Sequence, residues 1–176
     1  DVAYVIVSLA EPDGPQTRAF EVRDDIAHET PVIIETEGSP AIMTSTTCRL
    51  PPELAQDIEQ HAQDVDRFLK GELSASILKS RRVPRGIYEQ RRNGAYMVRV
   101  RVPGGAIAAA QARALAGVAS RYGSGILHAT TRQDIQIHDV QIDQTPAILR
   151  ELFRAGLTSK GGGGNTVRNI TACPYA

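Results

Sequence analysis

Tryptophan is absent from this chain, aromatic residues of all kinds amount to 5%, and there are only two cysteines, Cys48 and Cys173. Two isolated cysteines make neither a disulfide framework nor a four-thiolate metal set, and each reads as a small buried apolar side chain. Net charge is also missing, since twenty basic side chains cancel twenty acidic ones. Broad electrostatic capture of nucleic acid or of a membrane surface is therefore not expected. No apolar run approaches the ~20 residues that a membrane-spanning helix needs, and no segment has the layout of a signal peptide. The expectation is a soluble, cytoplasmic protein without a membrane span.

What is present is enough for a core. Hydrophobic residues make up 41% of 176 positions, which suits one domain, or one domain with a small appendage. The chain opens at Asp1, directly into the apolar run from Val2 to Leu9, and closes at Ala176 without a polar tail. Both ends read as cut from something longer.

Residues 1–50 read as a small β-rich segment. VAYVIVSL, RAFEVR, PVIIET and AIMTST are rich in β-branched residues and separated by turn formers. They hold no chemical motif, so an extra module for oligomerisation or partner docking is the expectation. Residues 51–83 read as a helix and a basic linker. Leu54, Ile58, Val65, Phe68 and Leu69 mark one helical stripe that starts behind Pro51-Pro52 and stops at Gly71. Lys79 to Pro84 reads as an extended, solvated connector.

Residues 84–158 carry a different pattern. Gly86 to Arg91 and Ala95 to Val102 form a hairpin around Arg92-Asn93-Gly94. Ala106 to Arg121 is an alanine-rich helix, with Leu115 and Val118 on one side. Ile126 to Val140 is strand material. A second helix has Thr145 as its N-cap, Pro146 at the first helical position and Gly156 just past its end. The order β-α-β-β-α-β predicts an α+β, ferredoxin-like sandwich: one sheet, with two helices on one face. Ligands are expected on the open face.

Alternation says which side chains occupy that face. Val98, Val100 and Val102 point to the core, so Met97, Arg99 and Arg101 point away from it. Thr130, Arg132, Asp134, Gln136 and His138 lie together, opposite Ile135 and Ile137. Arginine is the fork that grips carboxylates and oxyanions with two parallel bonds. Residues 159–176 begin with the run Gly161 to Gly164, whose entropic cost predicts close backbone approach to a ligand, as in an anion nest. Lys160 precedes the glycines, so this is not a Walker-type loop. Arg168 and Asn169 emerge from it.

The string RVRVPGG, then TTRQDIQIH, a helix, a glycine-rich turn and VRNITACP resembles the amino-terminal part of the sirohaem-dependent sulfite and nitrite reductases, over about residues 84–176. The resemblance implies a ferredoxin-like half-domain and the start of the domain that helps to hold sirohaem bridged to a [4Fe-4S] cluster. Such enzymes deliver six electrons to sulfite or nitrite. By this likeness Arg99 and Arg168 are catalytic, facing the anionic substrate. Arg101, Thr130, Arg132, Gln136, His138 and Asn169 serve the sirohaem carboxylates. His128 stands where many members have arginine. The family's cluster cysteines and substrate-site lysines would lie beyond Ala176, and Cys173 takes no ligand role.

The implied partners are sulfite or nitrite, an electron-donor protein or domain, and the remainder of the reductase. The fragment alone is expected to hold no cofactor and to be incompetent in catalysis. Two alternatives come from other classes. A nucleic-acid-binding module would need aromatic side chains on the open face, and Tyr96 falls on the core side. A structural or interaction domain would leave the glycine run unexplained.

Overall fold

The computed structural model describes residues 2–8, 16–23, 26–30, 50–92 and 94–172, the first three stretches as backbone only. PVIIET, AIMTST, Cys48, Asn93 and Cys173 lie outside the described residues.

Among the described residues, seven strands form one sheet. They are β1 (Val2–Ser8), β2 (Gln16–Arg23), β3 (Ile26–Thr30), β4 (Ile87–Glu89), β5 (Tyr96–Val100), β6 (Ile126–Ala129) and β7 (Ile135–Val140), ordered β3-β2-β1-β6-β7-β5-β4. Every pairing is antiparallel. The amino-terminal strands thus extend the sheet by joining β1 to β6.

The ferredoxin-like unit is built from β5, α3 (Ala109–Tyr122), β6, β7 and α4 (Thr145–Arg154). Its last strand is divided. Thr158 makes a single antiparallel bridge to Arg101, while β4 occupies the neighbouring stretch of the same edge of β5. Alternation places Tyr96, Val98 and Val100 in the core with Leu115, Val118, Ile137, Ile148 and Leu152. Met97, Arg99 and Arg101 are only partly buried on the opposite face.

Helix α1 (Glu53–Leu69) lies against α4, where Arg150 Nε and Nη2 donate to both carboxylate oxygens of Glu59 at 2.8 and 2.7 Å. Ile58 and Val65 are buried as the stripe predicts, whereas Leu69 is exposed at the helix end. His61 and Asp64 share the buried side. Among the described residues no helix is long and apolar enough to cross a membrane.

Two sequence expectations fail here. The basic run is not an extended linker. Ala75–Arg82 form α2, capped by Ser74 Oγ accepting from Ile77 N, and Val83–Arg85 continue as a 3-10 turn. Arg82 is 3% exposed; it donates to Ile87 O at 2.9 Å and Glu89 Oε2 at 3.1 Å, and lies 5.0 Å from the Tyr96 ring centroid. Composition alone reads such a run as solvated, but each guanidinium has a partner that the fold brings in. Second, Thr145 is not the N-cap of α4. Gln144 holds that position, because the Thr145 hydroxyl donates to Ile142 O at 2.7 Å and also meets His61 Nε2 at 2.8 Å.

Candidate anion-binding site

The glycine run crosses the edge of the sheet beside β4 and β5, and its root is fixed from several sides. Ser159 Oγ donates to Arg85 O at 2.6 Å, Gly161 N to Pro84 O at 2.8 Å, and Lys160 Nζ pairs with Asp57 at 2.9 Å. A Cβ on Gly162 would fall 2.6 Å from Arg99 O, and one on Gly163 would overlap the Tyr88 hydroxyl. Only glycine permits this approach. Three of the four glycine amides are taken up within the chain and are not free for a ligand. Gly161 N and Gly162 N donate to backbone carbonyls, and Gly164 N donates to Tyr88 Oη at 3.0 Å. The run serves closeness to Tyr88 and Arg99 instead.

Under this loop is a cavity of about 80 Å³, lined by Tyr88, Arg99, Arg132, Asp134, Gly161 to Gly164, Thr166, Arg168 and Asn169. It has room for a small anion or a carboxylate group, not for a whole tetrapyrrole. Three guanidiniums from β5, the β6–β7 turn and the loop converge on it. Gln136 is paired with Val-flanked Arg99 across β5 and β7. With its amide oxygen turned toward the guanidinium, Gln136 accepts from Arg99 Nε at 3.2 Å and Nη2 at 2.8 Å.

Four residues expected at the site thus line the cavity: Arg99, Arg132, Arg168 and Asn169. Four others do not. Arg101 turns to the chain itself, donating from Nη2 to Arg168 O at 3.3 Å while its Nη1 packs against Gly161. Thr130 does not belong to a strand. It shapes the β6–β7 turn, its hydroxyl accepting from Arg132 N and Asp134 N at 3.3 and 3.0 Å. Polar and apolar residues keep the strand period through this turn, so alternation alone places Thr130 on the face. Gln136 acts through Arg99. His138 lies further along the open face, where its ring stands 4.5 Å from that of His128. Gln90 Nε2 donates to His138 Nδ1 at 3.0 Å, so that nitrogen is unprotonated. Burial, and secondarily His128, lower the His138 pKa against the opposing pull of Asp139.

Arg132 and Asn169 also clasp the chain. Arg132 Nη2 donates to Asn169 O at 2.6 Å, and Asn169 Nδ2 donates to both Val102 O and Arg132 O at 2.9 Å. Gln133 holds Ala172 through both its amide groups, at 2.8 and 3.1 Å. The segment that presents Arg168 is therefore strapped across the end of β5.

Three lining residues carry no role in the sequence reading: Tyr88, Asp134 and Thr166. Tyr88 pairs with Met97 in the β4–β5 register, which puts its ring on the open face, 6.0 Å from the Arg99 guanidinium. The open face thus has an aromatic after all, though one covered by the glycine loop. The hairpin register was the signal that could have found it. Alternation puts Asp134 on the same face without revealing a role for it. Burial raises its carboxyl pKa, outweighing the Val102 amide and the charges of Arg99, Arg101 and Arg132.

Parts of this chain resemble known proteins. Residues 88–154 match the sequence profile of the nitrite/sulfite reductase ferredoxin-like half domain. A ferredoxin--nitrite reductase of Leptolyngbya laminosa is 42% identical over 84 residues, 47% of this chain and 16% of that protein. An assimilatory ferredoxin-dependent nitrite reductase of Haloferax mediterranei is 36% identical over 103 residues, 52% of this chain and 18% of that protein. The chain thus spans less than a fifth of these relatives. The solved NirA protein of Mycobacterium tuberculosis shares the fold, with a TM-score of 0.56 and 22% identity over 73% of this chain and 28% of that one. Residues 88–154 are accordingly a nitrite/sulfite reductase ferredoxin-like half domain.

Proposed function

We propose that this chain supplies part of the anion and sirohaem-carboxylate site of a ferredoxin-dependent nitrite or sulfite reductase. The carrying observation is the convergence of Arg99, Arg132 and Arg168 on one small cavity in a protein with no net charge. Guanidinium forks suit carboxylates and oxyanions equally. The relatives' names favour nitrite and a ferredoxin donor.

The residues fit the acidic periphery of sirohaem: Arg132 and Arg168 are exposed at the cavity mouth, where propionate- or acetate-like groups would meet them. Among the described residues, no group of three His, Cys, Asp or Glu is arranged to hold a metal. When bound, sirohaem would supply the iron chemistry of a six-electron reduction. The side chains of this chain bind charge and orient the anion. Arg99, buttressed by Gln136, is the most constrained of the three, and Arg168 depends on the strap formed by Arg101, Arg132 and Asn169. Such fixed dipoles and charges are what lowers barriers at developing anions. The remainder of a reductase and an electron donor complete the proposed assembly, in the cytoplasm.

Isothermal titration with nitrite and with sulfite tests this reading. Binding should weaken by about tenfold or more in Arg99→Met and in Arg168→Met, and sirohaem titrated into the protein should compete with nitrite. Equal anion affinity in wild type and both variants would reject it.

A further inference from the structure

Asp134 stands where an anion site should exclude it. It lines the cavity with Arg99, Arg132 and Arg168, is 5% exposed, and its Oδ1 has no hydrogen-bond partner among the described residues. Asn169 repeats the pattern. It is 4% exposed, its Nδ2 is fully used, and its Oδ1 has no donor. Two buried acceptors on one cavity are unfavourable unless a guest satisfies them. A guest made only of acceptor oxygens would match the guanidiniums and leave both acceptors facing oxygen. A guest that arrives with hydrogen satisfies every group.

We propose that the cavity binds a small oxyanion together with one proton, shared between the guest and the Asp134 carboxyl, while the positive arginines balance the remaining negative charge. This rests on the oxyanion reading above and adds that Asp134 is a proton carrier, not a counter-ion for the arginines. The charged groups around it are Arg99 from β5, Arg101 just past its end, Arg132 from the β6–β7 turn and Arg168 from the loop. Three of these and the Val102 amide favour ionisation, yet burial outweighs them and holds the carboxyl above its ordinary range. An approaching anion pushes it the same way. Asn169 Oδ1 offers the second acceptor, for a water hydrogen that accompanies the guest.

The consequence is chemical. Removing one oxygen from an oxyanion as water consumes two protons and two electrons; the electrons come from the donor of the proposed assembly, and a carboxyl that already shares a proton with the guest delivers one of the two without a diffusional step.

Nitrite is the probe, because it is fully ionised near neutral pH and cannot itself supply the proton. Calorimetry in two buffers of different ionisation enthalpy, between about pH 6 and pH 8, counts protons taken up per nitrite bound. Wild type should take up close to one, with affinity falling about tenfold per pH unit. Asp134→Asn should bind nitrite with no uptake and a flat pH profile, and Asp134→Ser should do the same should the asparagine variant fold poorly. Equal proton uptake in wild type and variants would overturn the proposal. So would wild-type binding without uptake, with Asp134→Asn merely binding tighter at every pH. Absence of nitrite binding by wild type at any pH removes the oxyanion reading itself, a result distinct from either of these.

Discussion

Arg85 and Asp57 meet through two parallel hydrogen bonds, Nε to Oδ2 at 3.1 Å and Nη2 to Oδ1 at 2.9 Å. Lys160 Nζ reaches the same carboxylate at 2.9 Å. One acid on α1 therefore secures both the 3-10 turn and the root of the glycine loop. Burial alone would raise the Asp57 pKa, but the bonds from Arg85 and Lys160 prevail and lower it. Asp57→Ala leaves the buried Arg85 guanidinium with only Arg81 O at 3.0 Å and the more distant Asp64 carboxylate at 3.7 Å, and a loss of about 2–4 kcal/mol is expected in urea unfolding. Hydrogen exchange over 158–164 should rise with it.

A second expectation concerns pH. His61 is fully buried; burial first, and then Arg85, lower its pKa from 6.5 to about 4, against Asp64 and Asp57. The Thr145 hydroxyl is already donating to Ile142 O, so it accepts from His61 Nε2–H and leaves Nδ1 unprotonated. The unfolded chain binds a proton at this residue below about pH 6.5, and the folded one only near pH 4. Stability from this residue is therefore whole above pH 6.5 and declines as pH falls through that window, by about 3 kcal/mol in total. His61→Gln should flatten that part of the stability–pH curve in chemical denaturation.

Gly163 has no room for a methyl group against Tyr88. Gly163→Ala should shift the loop and weaken nitrite binding, with a stability loss of about 1–3 kcal/mol. Tyr88→Ala on that background removes the obstacle, and a double-mutant cycle should return a clear coupling. Simple additivity of the two changes would count against the contact.

Asn169→Ala deprives Val102 O and Arg132 O of a donor at once. Val102 O keeps the Gly105 N donor at 3.0 Å, whereas Arg132 O loses its one, so the expected cost is about 1–3 kcal/mol. The strap over 165–172 should exchange its amides much faster, while α3 and α4 keep their protection.

Much of the unit over 84–158 was legible because its signals are local. Proline and glycine punctuate α1 and α4, and the valines of β5 declare their face without help from elsewhere. What escaped depends on distant partners. Arg82 and Arg85 look like linker charges until Glu89, Tyr96 and Asp57 are brought to them. Arg101 and Arg132 look like ligand-seeking forks, yet part of their hydrogen-bonding capacity goes to the carbonyls of Arg168 and Asn169. Thr130 sits in a turn that preserves strand alternation, so periodicity could not reveal it. Tyr88 needed the register of a hairpin rather than its own position.

The divided last strand has an outcome of its own for how this molecule meets others. Beside β5 the outer rim consists of three residues of β4, then a lone bridge at Thr158, with a glycine coil lying over the junction. A foreign strand seeking a continuous row of donors and acceptors finds only a broken one. The same interruption that makes space for a guest thus discourages edge-to-edge self-association on that side.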